Sequence, residues 1–275
     1  MAGPNNNQSR QTPADVEIKP RKIKLNFTDD IPRHWNNNDA VKTHFLNSFS
    51  STLPIFEKVV ISVIQQNRSR ITDPVLKKEM QDFCVQESSH AQEHRKYNQL
   101  LIKQGYVGIA RIESIQNNVL NIILKNTSYN FQLAIVAAFE HITSFMGRDF
   151  LSHPERWSQN SHPTMVGVWH WHAIEELEHK AFCFDVYQHV CGKWWLRSLA
   201  LPLINIPTLA LLTTLHFYML KVDGLLFRRS TWTNYLQLMY GANGVMRGLA
   251  KEYLKYFRFD FHPWSENDSH LIDLC

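Results

Sequence analysis

The chain has 275 residues, enough for one large helical domain or two small ones. Apolar residues make up 44%, so most of it is expected to bury a core, and 29 basic against 25 acidic residues leave a net charge of +4, too mild for a nucleic-acid partner. Cys84, Cys183, Cys191 and Cys275 are scattered and form no C-x-x-C pair, which argues against a disulfide framework or a zinc clip, and Met1 to Pro20 lacks the apolar stretch of a signal peptide, so a cytoplasmic setting is expected.

Taken in chain order, residues 1–22 are polar and read as a disordered tail. Residues 23–275 read as a single helical domain, with a bundle over 38–192 and accessory apolar helices over 193–260. Glycine is scarce and period-2 alternation rare, which makes the fold class all-α. Asn38 or Asp39 caps a first helix to about Gln66, with a stripe of Leu46, Phe49, Leu53, Phe56, Val60 and Ile64 and a kink at Pro54. Thr72 or Asp73, followed by Pro74, opens a second helix ending near Gln104, before Gly105. A connection of about twenty residues follows, holding a short helix at 113–125. A third helix spans 128–151. Ser161 and Pro163 open a fourth that runs unbroken to Cys191, with Gly192 as its cap.

Further helices are expected at 194–220, 225–240 and 243–258. From Ser198 to Leu220 no charge occurs in 23 residues, long enough for a bilayer core of about 30 Å, and Trp194, Trp195 and Tyr218 lie where interface aromatics would. Pro202, Asn205, Pro207 and His216 interrupt this run and no second span follows. A helix packed against the bundle is therefore the favoured expectation, with membrane contact through 198–220 as the alternative.

The chemistry lies in a repeated motif. Glu87-Ser88-Ser89-His90 and Glu176-Leu177-Glu178-His179 are both Glu-x-x-His, which sets the two side chains on one helix face within reach of a common ion. Glu57 and Glu140 sit on the apolar stripes of the first and third helices, where an unpaired carboxylate is expensive. Each precedes one Glu-x-x-His, so the chain reads as two hairpins, each giving one Glu and one Glu-x-x-His. That is the ligand pattern of di-iron carboxylate bundles. The expected ligands are Glu57, Glu87, His90, Glu140, Glu176 and His179, an oxygen-rich set that favours two Fe ions, with Mn or Zn as alternatives.

His94 and His172 share the stripes of their motifs and are expected to meet at one end of the site, as candidate catalytic, proton-handling residues or extra ligands. Glu175 is expected as an outer partner or on the surface, and His141 and His170 against neighbours or solvent. A competing pattern, His90-Ala91-Gln92-Glu93-His94, matches the inverted zinc-peptidase signature but leaves Glu57, Glu140 and the second Glu-x-x-His unused.

On the stretches IPRHW (31–35), ESSHAQEHRKYN (87–98), AAFEH (137–141) and HWHAIEELEHKAFCFDVY (170–187), the chain resembles a bacterial family of predicted metal-dependent hydrolases, over about 21–260. The resemblance implies a ferritin-like four-helix bundle, here with additional C-terminal helices. More distantly, the ligand pattern resembles ferritin-like di-iron oxidases and oxygenases, which implies Glu57, Glu87 and His90 in one half and Glu140, Glu176 and His179 in the other. The leading expectation is a non-haem di-iron protein that activates O2 to oxidise a small hydrophobic substrate. A metal-dependent hydrolase of an ester or amide is the alternative, and non-catalytic metal binding the third. A cytoplasmic or membrane-associated protein and a homodimer are both compatible with the sequence.

Overall fold

The computed structural model describes residues 11–274, and among them only helices, turns and irregular segments occur. The first ten residues of the expected tail, and Cys275, lie outside the described residues. The other three cysteines are free thiols, as their spacing implied.

Helix α1 (Ala40–Gln66) starts where the Asp39 side chain accepts from the amides of Val41 and Lys42, and α2 (Pro74–Lys103) where Asp73 accepts from Val75 and Leu76. Beyond α2, Gly105 takes φ +105°, a conformation that favours glycine. Helix α3 (Gly108–Asn126) is longer than the 113–125 segment expected, because Ile109 and Leu120 anchor it to the core from both ends. Ser128 caps α4 (Tyr129–Ser152) by accepting from Phe131, and a single turn, α5 (Pro154–Trp157), leads towards α6 (Pro163–His179).

The unbroken fourth helix does not form. It stops after His179 and restarts as α7 (Phe182–Val190). At the break Lys180 is buried, its ammonium held by Asp268, by the Glu266 carbonyl and over the face of Trp264 at 3.7 Å. Tertiary partners from the far end of the chain outweigh local helix propensity here.

A second correction concerns the tail. Residues 11–22 run along the bundle as an ordered strap, with Val16 and Ile18 only 9% exposed. A short apolar alternation, Val16 and Ile18, was the available signal, and the surrounding charged residues masked it.

Helices α1 and α2 pack as one pair and α4 and α6 as another, with α1 against α4 and α2 against α6. Gly147 permits the closest part of the α4–α6 contact: a Cβ there would lie 3.0 Å from the Ala173 carbonyl and 3.2 Å from the Glu176 Cβ. Helix α8 (Trp194–Val222) lies across α1 and α4, and α9 (Arg229–Tyr240) and α10 (Val245–Lys255) follow.

Helix α8 is long and apolar enough to cross a membrane, yet only 28% of its most apolar window is buried. The expectation of a packed helix thus holds for one face, carrying Leu201, Leu215 and Met219. The other face leaves Leu199, Leu203 and Ile206 exposed. Its N-terminal end is tied down by Arg197, buried among Phe184, Tyr256 and Phe261, whose guanidinium donates to the carbonyls of Tyr256 and Arg258 at 2.7 and 2.8 Å. Replacing it by an apolar residue of similar length leaves two carbonyls unsatisfied. Arg197→Met is expected to lower unfolding free energy by about 2–4 kcal/mol in urea titrations followed by circular dichroism.

Candidate metal centre

The bundle brings the six sequence-derived ligand candidates together. Glu57 comes from α1, Glu87 and His90 from α2, Glu140 from α4, and Glu176 and His179 from α6, and each is at most 2% exposed. His179 Nε2 lies 3.2 Å from Glu140, 3.4 Å from Glu87 and 3.5 Å from Glu176. His90 Nδ1 lies 3.5 Å from Glu87 and 3.9 Å from Glu176. His172 Nε2 is 3.2 Å from Glu176, which adds a seventh donor. Within this cluster, two groups have donor atoms within 4.8 Å of one another: Glu57, His90 and His172, and Glu87, Glu176 and His179.

The hydrogen-bond pattern fixes which ring nitrogen faces inward. His179 Nδ1 donates to the Gln86 side-chain oxygen at 2.9 Å, and His90 Nε2 donates to Glu175 at 3.1 Å. The remaining nitrogens, His179 Nε2 and His90 Nδ1, point at the carboxylates with no hydrogen-bond partner. Both Glu57 oxygens and one oxygen each of Glu87, Glu140 and Glu176 are likewise buried and unpartnered. Glu175, expected as an outer partner or on the surface, is fully buried and orients His90.

The strap completes this outer layer. The Arg21 amide donates to Glu175 at 2.9 Å, and its guanidinium grips Glu178, which also accepts from the Lys19 amide and from Gln86. Sequence reasoning missed Arg21 and Gln86, since neither belongs to a motif.

His94 and His172 meet as expected from antiparallel α2 and α6, with His94 Nε2 3.3 Å from His172 Nδ1. His94 Nδ1 donates to the Ser50 hydroxyl at 3.0 Å, and Ser50 donates onward to Asn98. With its Nδ1 proton spent there, His94 Nε2 accepts from His172, which leaves His172 Nε2 a free lone pair towards the cluster. His94 therefore positions His172 from one layer out. The inverted zinc-peptidase arrangement is not assembled, because Glu93 pairs with Lys96 at 2.6 Å and His94 is engaged with His172. His141 stacks on Tyr256 and donates from Nε2 to the Glu252 carbonyl at 3.2 Å, away from the cluster.

The electrostatics follow from packing four carboxylates in a dry interior. Burial and the neighbouring Glu87 raise Glu57 far above the usual carboxylate range, and the same two causes push Glu140 up to about 8. Burial also opposes ionisation of Glu176, but the His179 charge outweighs it and holds this carboxyl at about 2. Burial works against the imidazolium of His90, yet its hydrogen bond to Glu175 and the adjacent Glu87 carboxylate lift it to about 10, and Glu176 similarly raises His179. Burial and the nearby His90 keep His172 neutral down to about 3. The cluster thus balances its charge with protons. Divalent cations supply the same positive charge, and the unpartnered oxygens and nitrogens are the donors such ions take, so the residues fit two metal ions.

A second cluster was not foreseen. His34 and His44 both place Nε2 on one oxygen of Asp223, at 2.6 and 2.7 Å, while Arg33 reaches the other at 2.8 Å and the Tyr106 hydroxyl spans both. These residues lie in a loop, on α1 and just past α8, so nothing in their spacing links them. The Arg33 charge makes this a clamp between the start of α1 and the end of α8 rather than a cation site.

The fold and the cluster define an all-α protein with a carboxylate- and imidazole-rich candidate metal centre in its bundle core. Residues 19–267 match the family described as predicted metal-dependent hydrolase, and the chain belongs to that family of metal-dependent enzymes. No curated protein and no solved structure matches the chain.

Two outcomes follow from this geometry. Gln86→Leu removes the acceptor that sets the His179 ring, and metal affinity measured by competition with a chelating dye should fall about 10–100-fold while the helical content is retained. At the clamp, burial opposes ionisation of Asp223, but the His44 and His34 hydrogen bonds win and hold it at about 2. A carboxyl held below its unfolded value stabilises the fold above about pH 4, and that contribution drains away as pH falls through about 2. Asp223→Asn should therefore cost about 1–3 kcal/mol at neutral pH, with the gap to wild type closing as unfolding is followed down from about pH 4.

Proposed function

We propose that the protein is a dinuclear metal-dependent hydrolase acting on an ester or amide. In this reading Glu57, His90 and His172 would hold one ion and Glu87, Glu176 and His179 the other, with Glu140 beside His179. The observation that carries the reading is the set of buried, unpartnered oxygens and ring nitrogens that converge at the centre of a protein from a family of predicted metal-dependent hydrolases. When bound, the ions would lower the pKa of a coordinated water to about 7 and polarise a substrate carbonyl.

The chain's own residues contribute orientation and dryness. Glu175 and Gln86 hold the His90 and His179 rings in the tautomers that face inward. Ser50 and His94 do the same for His172. Trp171 packs its ring edge-on against His90 at 4.8 Å and Phe83 against His179 at 4.9 Å, which keeps bulk water from the donors and strengthens every charge interaction among them.

A second reading, O2 activation at a di-iron centre, is supported by the duplicated Glu and Glu-x-x-His pattern and its oxygen-rich donors. Metal content and anaerobic turnover separate the two. Protein loaded with zinc or manganese should bind about two ions per chain and cleave p-nitrophenyl acyl esters without oxygen, and Glu57→Ala should lose both properties. Two irons per chain, an absorption band that develops only on mixing with oxygen, and no ester cleavage would move the assignment to the oxidase.

A further inference from the structure

A cavity of ≈330 Å³ opens between α1, α4, α8, α9 and α10, with Leu212, Met239 and Leu249 among its walls. That volume suits a small-molecule site. Its exposed rim on α8 is apolar, formed by Ile206 and Leu209. Ser48, Thr208, Thr213 and Tyr235 contribute polar groups to its lining, but two other polar side chains there are left unpaired. His216 is 2% exposed and has no hydrogen-bond partner at either ring nitrogen, and the Asn205 amide nitrogen is also buried without one. An apolar pocket that keeps an imidazole and an amide unpaired is costly unless a ligand pairs them.

A second cavity, of ≈20 Å³, adjoins the first. Phe49 and Met146 wall both, and the smaller one is closed on its far side by His172, Ala173 and Gly147. Phe49 and Met146 thus form the shared wall between the large cavity and the one that reaches His172, and one of them is an unbranched, adaptable methionine.

We propose that the large cavity binds a long acyl chain bearing a hydroxyl or keto group, and that the chain's reacting end passes between Phe49 and Met146 to His172. The position of that end rests on the metal-dependent reading of the cluster; the seat of the chain does not. Apolar walls take the methylenes, His216 and Asn205 pair the oxygen along the chain, and the apolar rim admits the molecule from a hydrophobic phase.

Fluorescence titration of the full-length protein with cis-parinaric acid, followed by displacement with stearic acid and with monohydroxystearic acids of differing hydroxyl position, tests this. The polyene should bind with micromolar affinity, and at least one hydroxystearic acid should displace it about tenfold more effectively than stearic acid. His216→Leu should erase that preference while plain stearic acid still binds. Met146→Trp should weaken binding of the long chain but not of octanoic acid. Absence of polyene binding to the wild-type protein overturns the proposal without recourse to any variant, and so does a hydroxyl preference that survives in His216→Leu. Circular dichroism of each variant identifies a folding failure. Metal content of the same preparations separates the two readings: acyl binding without metal binding would sink the hydrolase and leave the cavity assignment standing, and metal binding without acyl binding would do the reverse.

Discussion

Four carboxylates, Glu57, Glu87, Glu140 and Glu176, meet in a bundle interior whose walls are otherwise apolar and aromatic, and charge at that density has to be compensated from within the fold. Much of the remaining architecture can be traced to this need. Three imidazoles face the carboxylates, and each is held at its opposite nitrogen by a buried acceptor: Glu175 for His90, Gln86 for His179, and His94 for His172. The acceptors are themselves secured, by Arg21 and by Ser50, so that the ring orientations are set two layers out.

The two hairpins supply matching donors, one Glu and one Glu-x-x-His each, but the centre is not symmetric. His172 approaches Glu176 at 3.2 Å on one side only, and the smaller cavity reaches the cluster at that same residue. The additional nitrogen donor and the smaller cavity therefore coincide at His172. The two groups of donors, Glu57, His90 and His172 on one side and Glu87, Glu176 and His179 on the other, thus differ in composition and in access. Gly147 contributes to this asymmetry, since the close approach of α4 to α6 it allows sets the floor of the smaller cavity.

What was legible in the sequence divides along physical lines. The first two caps and the periodicity were readable because their causes are local: Asp39 and Asp73 each bond amides two or three residues away. The metal-ligand candidates were readable because the Glu-x-x-His spacing is a property of the helix itself, and because Glu57 and Glu140 sit on apolar stripes where a lone carboxylate stands out. The parts that were misread have non-local causes. The break after His179 depends on Lys180 meeting Asp268 and Trp264, some ninety residues on. The strap is ordered by Glu175 and Glu178, and the Asp223 clamp joins His34 to a residue 189 positions further on. Apart from the short Val16 and Ile18 alternation in the strap, none of these leaves a periodic trace.

The strap has a further consequence for how the centre comes into being. Arg21 finds its acceptors 154 and 157 residues away, a separation over which loop closure is slow compared with helix pairing. The helices can collapse into a bundle while Glu175 and Glu178 still lack their cation, with the two histidine rings free to turn. Synthesis of the chain puts Arg21 in place long before Glu175 exists, yet its bonds can close only once the α6 residues they need are in position. The latch that aligns the centre is thus drawn from the opposite end of the sequence.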